Sequence, residues 1–475
     1  MMITGSGADG MQQHVETIFA LATPPGRSAI QVIRVSGPGA ARALRRMAGG
    51  LPEPRRATLA TITDPDGNRL DRGMVMFFPG PNSATGEDLA EFHLHGSPVL
   101  GRMVMQALET LPRFRLADPG EFTRRSFLNG RIDLDQAEAI GDMIDADTAE
   151  QHRAAMSQLD GRLGTITESW REQLVNLSAR LEALIDFADE ELPDDLDQAV
   201  RQAVDQLIDA MRVAIAQAER NMLNRDGITV AILGRPNAGK STLLNVLAGD
   251  DRAIVSPEAG TTRDLVRVSL DIGGLAVHLI DTAGIRATTG MVEKEGIRRA
   301  IEAASTAAIV LVLIESTDPD PMLAWQSITA QLNALDANTD ANTDTNTDTR
   351  PQGQKVIPVI SKADACPPGQ VFPEWMMLSA QSGQGMDSFD AMLAAALADF
   401  TPSGEAAMLT RERHRHAVTT AFDALERARD HSLATSPELM AEEFRHAALA
   451  LGRITGRVDV EDLLDQIFSA FCIGK

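Results

Sequence analysis

Gly234-Arg235-Pro236-Asn237-Ala238-Gly239-Lys240-Ser241-Thr242 fits the pattern G-x-x-x-x-G-K-[ST], and its flanks decide how it reads. The apolar run 228–233 before it reads as a buried strand, and 243–247 after it opens a helix. In that setting the glycines let the backbone wrap around phosphate, while N–H groups and the helix N-terminus direct positive charge inward. Lys240 then reaches the β- and γ-phosphates and Ser241 ligates Mg²⁺.

Working outward, residues 226–400 alternate strand and helix signals, the pattern of a mostly parallel sheet between helices. Segments 266–270 and 275–280 are joined by Gly273-Gly274, a hairpin signal, and 309–314 reads as a continuous buried strand. Between them lies Asp281-Thr282-Ala283-Gly284, where an Asp at a strand's C-terminal end faces the metal and Gly284 lets the backbone approach the γ-phosphate. Upstream, Gly260-Thr261-Thr262-Arg263-Asp264 supplies a metal-binding hydroxyl in a loop able to order around a triphosphate. Ser361-Lys362-Ala363-Asp364 follows the strand 356–360, and Asp364 suits the N1–H and exocyclic amine of guanine, a donor pair adenine lacks. Ser379-Ala380-Gln381 follows 375–378 and can place a backbone N–H on the guanine oxygen. Five such segments in this order indicate a guanine-nucleotide-binding domain.

The 475-residue length suits several domains, three on the pattern seen, and the apolar fraction of 44% is ordinary for a soluble protein. No apolar run approaches the ~20 residues of a membrane span, and 1–13 carries no signal or transit pattern, so a cytoplasmic protein is expected. Cys366 and Cys472 are far apart and without metal-ligand spacing, which argues against a disulfide framework and a structural zinc site. A net charge of −23 argues against nonspecific polynucleotide binding, so a nucleic-acid partner must be met locally or through a more basic protein.

Residues 1–130 mix short β-like runs, such as 30–35 and 75–78, with turn clusters and read as an α+β domain. His93 and His95 share one face of a strand; lacking a third ligand at recognisable spacing, they are expected to be hydrogen-bonded histidines rather than metal ligands. Arg113, Arg115, Arg124, Arg125 and Arg131 form the clearest basic cluster, expected to be a solvated or salt-bridged face. From 131 to 223 the period turns helical through Leu163, Ile166, Trp170, Leu174, Leu177, Leu181 and Leu184, with a break at Pro193-Asp194-Asp195 before Val204, Leu207, Met211 and Ile215. The repeats of 336–349 read as a disordered surface loop, since such a polar tract buries too little area to offset its ordering entropy. Helical periodicity returns over 401–475, with 460–471 as a final amphipathic helix, so the GTPase domain at 224–400 reads as inserted into a helical domain.

The nucleotide motifs, the ending Phe471-Cys472-Ile473-Gly474-Lys475, and the strings Thr23-Pro24-Pro25-Gly26-Arg27 and Thr85-Gly86-Glu87-Asp88 together resemble the tRNA-modification GTPase family MnmE, also called TrmE. The resemblance spans all but the first dozen residues and the 336–349 insert. It implies a multidomain α/β protein: an N-terminal α+β folate-binding and dimerising domain, an α-helical domain, and an inserted Ras-like P-loop GTPase domain. It further implies a homodimer whose GTPase domains meet across their nucleotide faces with potassium bound. With the FAD-dependent partner MnmG (GidA), in a heterotetramer, the family forms 5-carboxymethylaminomethyl or aminomethyl uridine at the tRNA wobble position. The methylene carbon comes from 5-formyl- or methylene-tetrahydrofolate, the flavin sits on the partner, and no membrane is involved.

By that resemblance Arg34, Glu91, Arg131 and Lys475 match folate-binding positions, where a cation suits the carboxylates of the folate tail. Asn237 and Thr261 match side-chain potassium ligands, Ser256 and Glu258 match carbonyl ligands, and Ser241 and Thr262 match Mg²⁺ ligands. The GTP-binding set is Asn237, Ala238, Gly239, Lys240, Ser241, Thr242, Ser256, Thr261, Thr262, Asp281, Thr282, Ala283, Gly284, Ser361, Lys362, Asp364, Ser379, Ala380 and Gln381. Many GTPases orient the attacking water with a Gln where this chain has Ile285; the family uses an acidic residue further on, matched by Glu293. Lys240 and Arg263 stand with it as catalytic candidates, and potassium takes the place of an arginine finger. Cys472 serves either the modification chemistry or packing.

The chain departs from the family at four places. Ser361 replaces the usual Asn, losing an amide that ties the base loop to the P-loop; 287–291 is less acidic than usual; Arg131 replaces a common Lys; and the insert is its own. Two other classes compete: an RNA-binding ribosome-assembly GTPase, which would usually carry a basic module absent here, and a folate-sensing scaffold with a vestigial GTPase, against which Lys240, Ser241, Thr262 and Asp281 argue.

Overall fold

In the computed structural model the described residues are 16–186, 196–250, 252–254, 267–281, 304–339, 354–368, 370, 372, 374–401, 409–433, 435–458 and 461–474. They fall into two units, the first made of Met1–Gly141, Gln158–Arg201 and Asp423–Lys475, the second of Asp142–Ser157 and Gln202–Phe422.

Period-two alternation builds the first unit's sheet. Its strands are β1 (Thr17–Leu21), β2 (Ile30–Ser36), β3 (Thr58–Thr63), β4 (Arg69–Phe78), β5 (Leu89–His95) and β6 (Phe114–Leu116), ordered β3-β4-β5-β2-β1-β6. Phe19, Ile33, Val35, Phe92 and Leu94 face one side, where Leu44 and Met47 of helix Ala40–Met47 and Val104 and Leu108 of helix Pro98–Glu109 cover them. Ile18, Ala20 and Leu89 face the other side with Phe122 of helix Glu121–Leu128. Helices Arg162–Asp186 and Pro437–Thr455 pack along one another, burying Leu163, Trp170, Leu174, Leu177 and Leu181 on the first and Met440, Phe444, Leu451 and Ile454 on the second. Five positions of the 3.6-residue stripe read from the sequence thus lie on the buried face, and Ile166 is half-buried.

The chain's last described residues return to this unit's sheet. Ile473 bridges antiparallel to Pro119, and Gly474 takes φ 101 where any Cβ would collide with the Leu21 carbonyl oxygen.

The second unit is a six-stranded sheet of β7 (Ile228–Gly234), β8 (Arg267–Ile272), β9 (Leu275–Asp281), β10 (Ile309–Glu315), β11 (Lys355–Ser361) and β12 (Met376–Met377), in the order β12-β11-β10-β7-β9-β8. All neighbours are parallel except β8 on β9 at the edge. That hairpin turns at Gly273 and Gly274, with φ of 64 and 89, the two positive values a type I′ turn demands. Both faces are covered, which explains the near-continuous apolar runs. Val230, Ile232, Leu311 and Leu313 pack with Leu243, Leu247, Phe389 and Leu393, while Ala231, Leu233, Val310 and Val312 pack with Ala304, Ala324 and Leu332. Each fully buried Leu, Ile or Phe among these stabilises by about 1.5–3 kcal/mol relative to exposure.

Three sequence expectations need correction. The final helix runs Glu461–Ser469 and stops short of 471, because the Phe471 N–H turns back to the Phe468 carbonyl at 3.1 Å and the two rings pack with centroids 5.9 Å apart. Cys472 therefore lies beyond the helix and is exposed, so the packing role does not hold. Helix Pro321–Thr339 carries 336–339 of the insert, since Ala334, Leu335 and Ala337 are strong helix formers. The remainder, 340–349, lies outside the described residues, as does the Pro193 break.

Candidate active site

The phosphate loop follows β7 at the crevice where parallel strands end, the usual ligand position of an open α/β sheet. Its backbone demands the residues it has. Gly234 takes φ 156 with the Leu313 carbonyl oxygen where a Cβ would go, and Asn237 and Gly239 take φ 68 and 87 before helix Lys240–Ala248. Lys240 is 6% exposed, its Nζ donating to the carbonyls of Gly234 at 2.7 Å and Arg235 at 3.0 Å. Burial pushes this ammonium's pKa down, and the Asp281 carboxylate opposes the shift. Ser241 Oγ donates to Asp281 Oδ2 at 2.9 Å. Two converging oxygen donors beside a phosphate loop fit Mg²⁺, a hard cation that takes few protein ligands and completes its shell with phosphate and water.

The loop 361–364 sits beside it. Ser361 ends β11 with its Cβ 3.9 Å from where Gly239 would carry one, and its Oγ donates to the Ile314 carbonyl at 3.3 Å. Lys362 adopts φ 55 and pairs with Glu315 at 3.0 Å, and Asp364 is exposed. The Ala363 N–H donates to the Leu378 carbonyl at 3.0 Å, which joins this loop to Ser379-Ala380-Gln381. There Ser379 is 1% exposed, its Oγ accepting from the Ser382 N–H at 3.2 Å, while Gln381 is exposed. The structure thus brings together Lys240, Ser241 and Asp281, and separately Ser361 to Asp364 with Ser379. Ser256, Glu258, Thr261, Thr262, Arg263, Thr282, Ala283, Gly284, Glu293 and Lys475 lie outside the described residues.

In the first unit Arg34 and Glu91 are cross-strand partners on β2 and β5, with Arg34 Nε 3.3 Å from Glu91 Oε1. Arg131 lies against Gly86, its Cγ 3.3 Å from where that residue would carry a Cβ. His93 bonds Glu91 at 3.0 Å and His95 bonds Asp71 at 2.8 Å, as expected of satisfied histidines. Burial pushes the Asp71 carboxyl up, but bonds from the His95 N–H and ring outweigh it and hold it below the usual range. The arginine cluster is largely salt-bridged: Arg115 to Glu16 and Glu121, Arg125 to Glu87 and Glu121, and Arg124 to Asp465. Among the described residues no group of three His, Cys, Asp or Glu could hold a metal, and no helix is long and apolar enough to cross a membrane.

Sequence reading missed three residues at the crevice. Ser316, 0% exposed, hydrogen-bonds the Lys362 carbonyl; Glu315 pairs with Lys362; and Asp318 takes Arg235 of the phosphate loop at 2.8 Å. Glu315 ends β10 and the other two follow it, and the signal available was their place at the C-terminal end of a buried parallel strand.

Two family models match the chain: the GTP-binding protein TrmE N-terminus over residues 17–131 and the MnmE helical domain over 134–472. A tRNA modification GTPase MnmE from Bradyrhizobium sp. (strain ORS 278) is 43% identical, covering 98% of this chain and 100% of its own. The protein of the same name from Paramagnetospirillum magneticum is 45% identical, covering 97% of this chain and 100% of its own. A solved structure of Era in complex with MgGDPNP and nucleotides 1506–1542 of 16S ribosomal RNA is 26% identical, covering 42% of this chain and 66% of its own, at a TM-score of 0.26 too low to carry weight. A P-loop seated on a mostly parallel sheet, an N-terminal α+β sheet and full-length relatives of this similarity agree: the chain belongs to the MnmE family of tRNA modification GTPases.

Proposed function

We propose that this chain hydrolyses GTP at the crevice described and, as a potassium-activated cytoplasmic homodimer with a FAD-dependent MnmG-type partner, uses one-carbon folate to modify the wobble uridine of tRNA. The observation that carries the nucleotide half is the Lys240, Ser241 and Asp281 geometry, with Ser241 Oγ 2.9 Å from Asp281 Oδ2. Lys240 would hold the β- and γ-phosphates, Ser241 with Thr262 would ligate Mg²⁺, and Asp364 would read guanine. Magnesium, when bound, neutralises charge developing on the phosphates. Glu293 would orient the attacking water, with Arg263 a further catalytic candidate, and Asn237, Ser256, Glu258 and Thr261 would take potassium. Arg34, Glu91, Arg131 and Lys475 would bind the folate, and Cys472, exposed beyond the final helix, is available to the modification chemistry. We further assign 1–130 to folate binding and dimerisation, 131–223 and 401–475 to the helical domain, and 224–400 to the inserted GTPase domain.

The test is GTP hydrolysis by the purified protein in potassium against sodium at matched ionic strength, with Glu293→Ala and Asn237→Ala alongside. Potassium-dependent hydrolysis lost in both variants supports the mechanism and makes tRNA modification with the partner the next assay. Hydrolysis indifferent to the cation removes potassium activation and brings forward a GTPase switch acting in ribosome assembly.

A further inference from the structure

We propose that Ser316 is a positioning residue for guanine recognition, holding the loop 361–364 in the shape that presents Asp364 to the base. The inference rests on Asp364 being the guanine acceptor. Ser316 directly follows β10 and is 0% exposed. It grips the loop twice: its Oγ–H donates to the Lys362 carbonyl at 2.7 Å, and its N–H donates to the Ser361 carbonyl at 2.9 Å.

The grip matters because Lys362 has φ 55, a left-handed conformation that a non-glycine residue keeps only when its surroundings over-determine it. Two other contacts help, the Ala363 N–H to the Leu378 carbonyl at 3.0 Å and the Lys362–Glu315 ion pair at 3.0 Å. The ion pair is partly exposed, with side chains 39% and 26% accessible, and is the weaker restraint. Ser361 adds none of its own across to the phosphate loop. Its Cβ lies beside the Gly239 position, but its hydroxyl is committed to the Ile314 carbonyl. The peptide at 362 is therefore fixed from β10, and that peptide sets where the chain carries Asp364 two residues later.

Inosine diphosphate lacks the exocyclic amine of guanine, so the ratio of GDP to IDP affinity reports how well Asp364 is placed, while tripolyphosphate reports the phosphate loop alone. The full-length protein and Ser316→Ala are titrated with GDP, IDP and tripolyphosphate, and thermal midpoints are taken without nucleotide. Ser316→Ala is expected to lose roughly tenfold in GDP affinity, with the GDP/IDP ratio falling toward one and tripolyphosphate binding and the midpoint preserved. A Ser316→Ala protein with an unchanged ratio, or one weakened equally for all three ligands, overturns the proposal and leaves Ser316 a packing residue. A wild-type protein that does not prefer GDP to IDP refutes the reading of Asp364 itself, and this inference falls with it.

Discussion

Lys240 shows how much of a site is specified by single side chains. Its ammonium is buried, directed at two backbone carbonyls and faced by the Asp281 carboxylate, so a residue without a cation would leave the loop without its positive charge. Lys240→Ala should lower the GTP hydrolysis rate by about 100-fold or more, read in a phosphate-release assay, with the thermal midpoint little changed. Glu121 makes a different case. Burial pushes its carboxyl up, but bonds from Arg115, the Asp118 N–H and Arg125 outweigh burial and hold the pKa below its ordinary 4.5. The folded protein then binds fewer protons than the unfolded one, so the contribution to stability is complete above about pH 4.5 and is lost as pH falls through the depressed value. Urea midpoints between pH 3 and 6 should fall more steeply for the wild type than for Glu121→Gln, whose own midpoint should be lower near neutrality. Parallel curves would show that Glu121 does not titrate in this way.

At the scale of elements, long helix Leu196–Asp226 ends in side-chain caps rather than in water. Gln151 Nε2 donates to the carbonyls of Asn224 at 3.2 Å and Arg225 at 3.0 Å, and the His278 ring lies 3.3 Å from that of Asp226. Beside them Asp142 Oδ1 accepts from Arg225 Nε at 2.9 Å and from Arg411 at 2.7 Å, so one oxygen holds the chain just before β7 and just before helix Glu412–Asp430. Asp142→Ala should cost about 1–2 kcal/mol of stability in urea unfolding. In that background Arg225→Ala should add little, whereas full additivity would mean that the shared carboxylate does no joint work. None of this was legible in the sequence, because Gln151, Asp142 and Arg411 belong to no local pattern and meet only after folding. What was legible obeyed local rules: Gly273-Gly274 for the turn, the doubly apolar runs for the parallel strands, and Gly234 and Gly239 for the loop. The final helix was read too long because Phe471 keeps the helical period while its N–H already turns back to Phe468.

For the whole molecule, charge is the property that most constrains its task. At −23, the chain alone should bind tRNA weakly and with a shallow dependence on salt, because counterion release scales with the phosphates neutralised. Filter binding or anisotropy over a salt series should show a slope that steepens when the proposed MnmG-type partner is added; a steep slope for the chain alone would place the basic surface here. The family assignment was readable because motifs and tail survive in sequence order. Ser316 was not, since its role needs a strand end and a loop to meet across 46 residues.

The shared grip of Asp142 on Arg225 and Arg411 has a consequence for chain length. A chain that departs and returns at one anchored point can change the length of its excursion cheaply, since each doubling of a flexible loop adds only about 0.6 kcal/mol of closure entropy. The Asn-Thr-Asp tract lies in sequence between those arginines, so a chain shortened there should keep both contacts of Asp142.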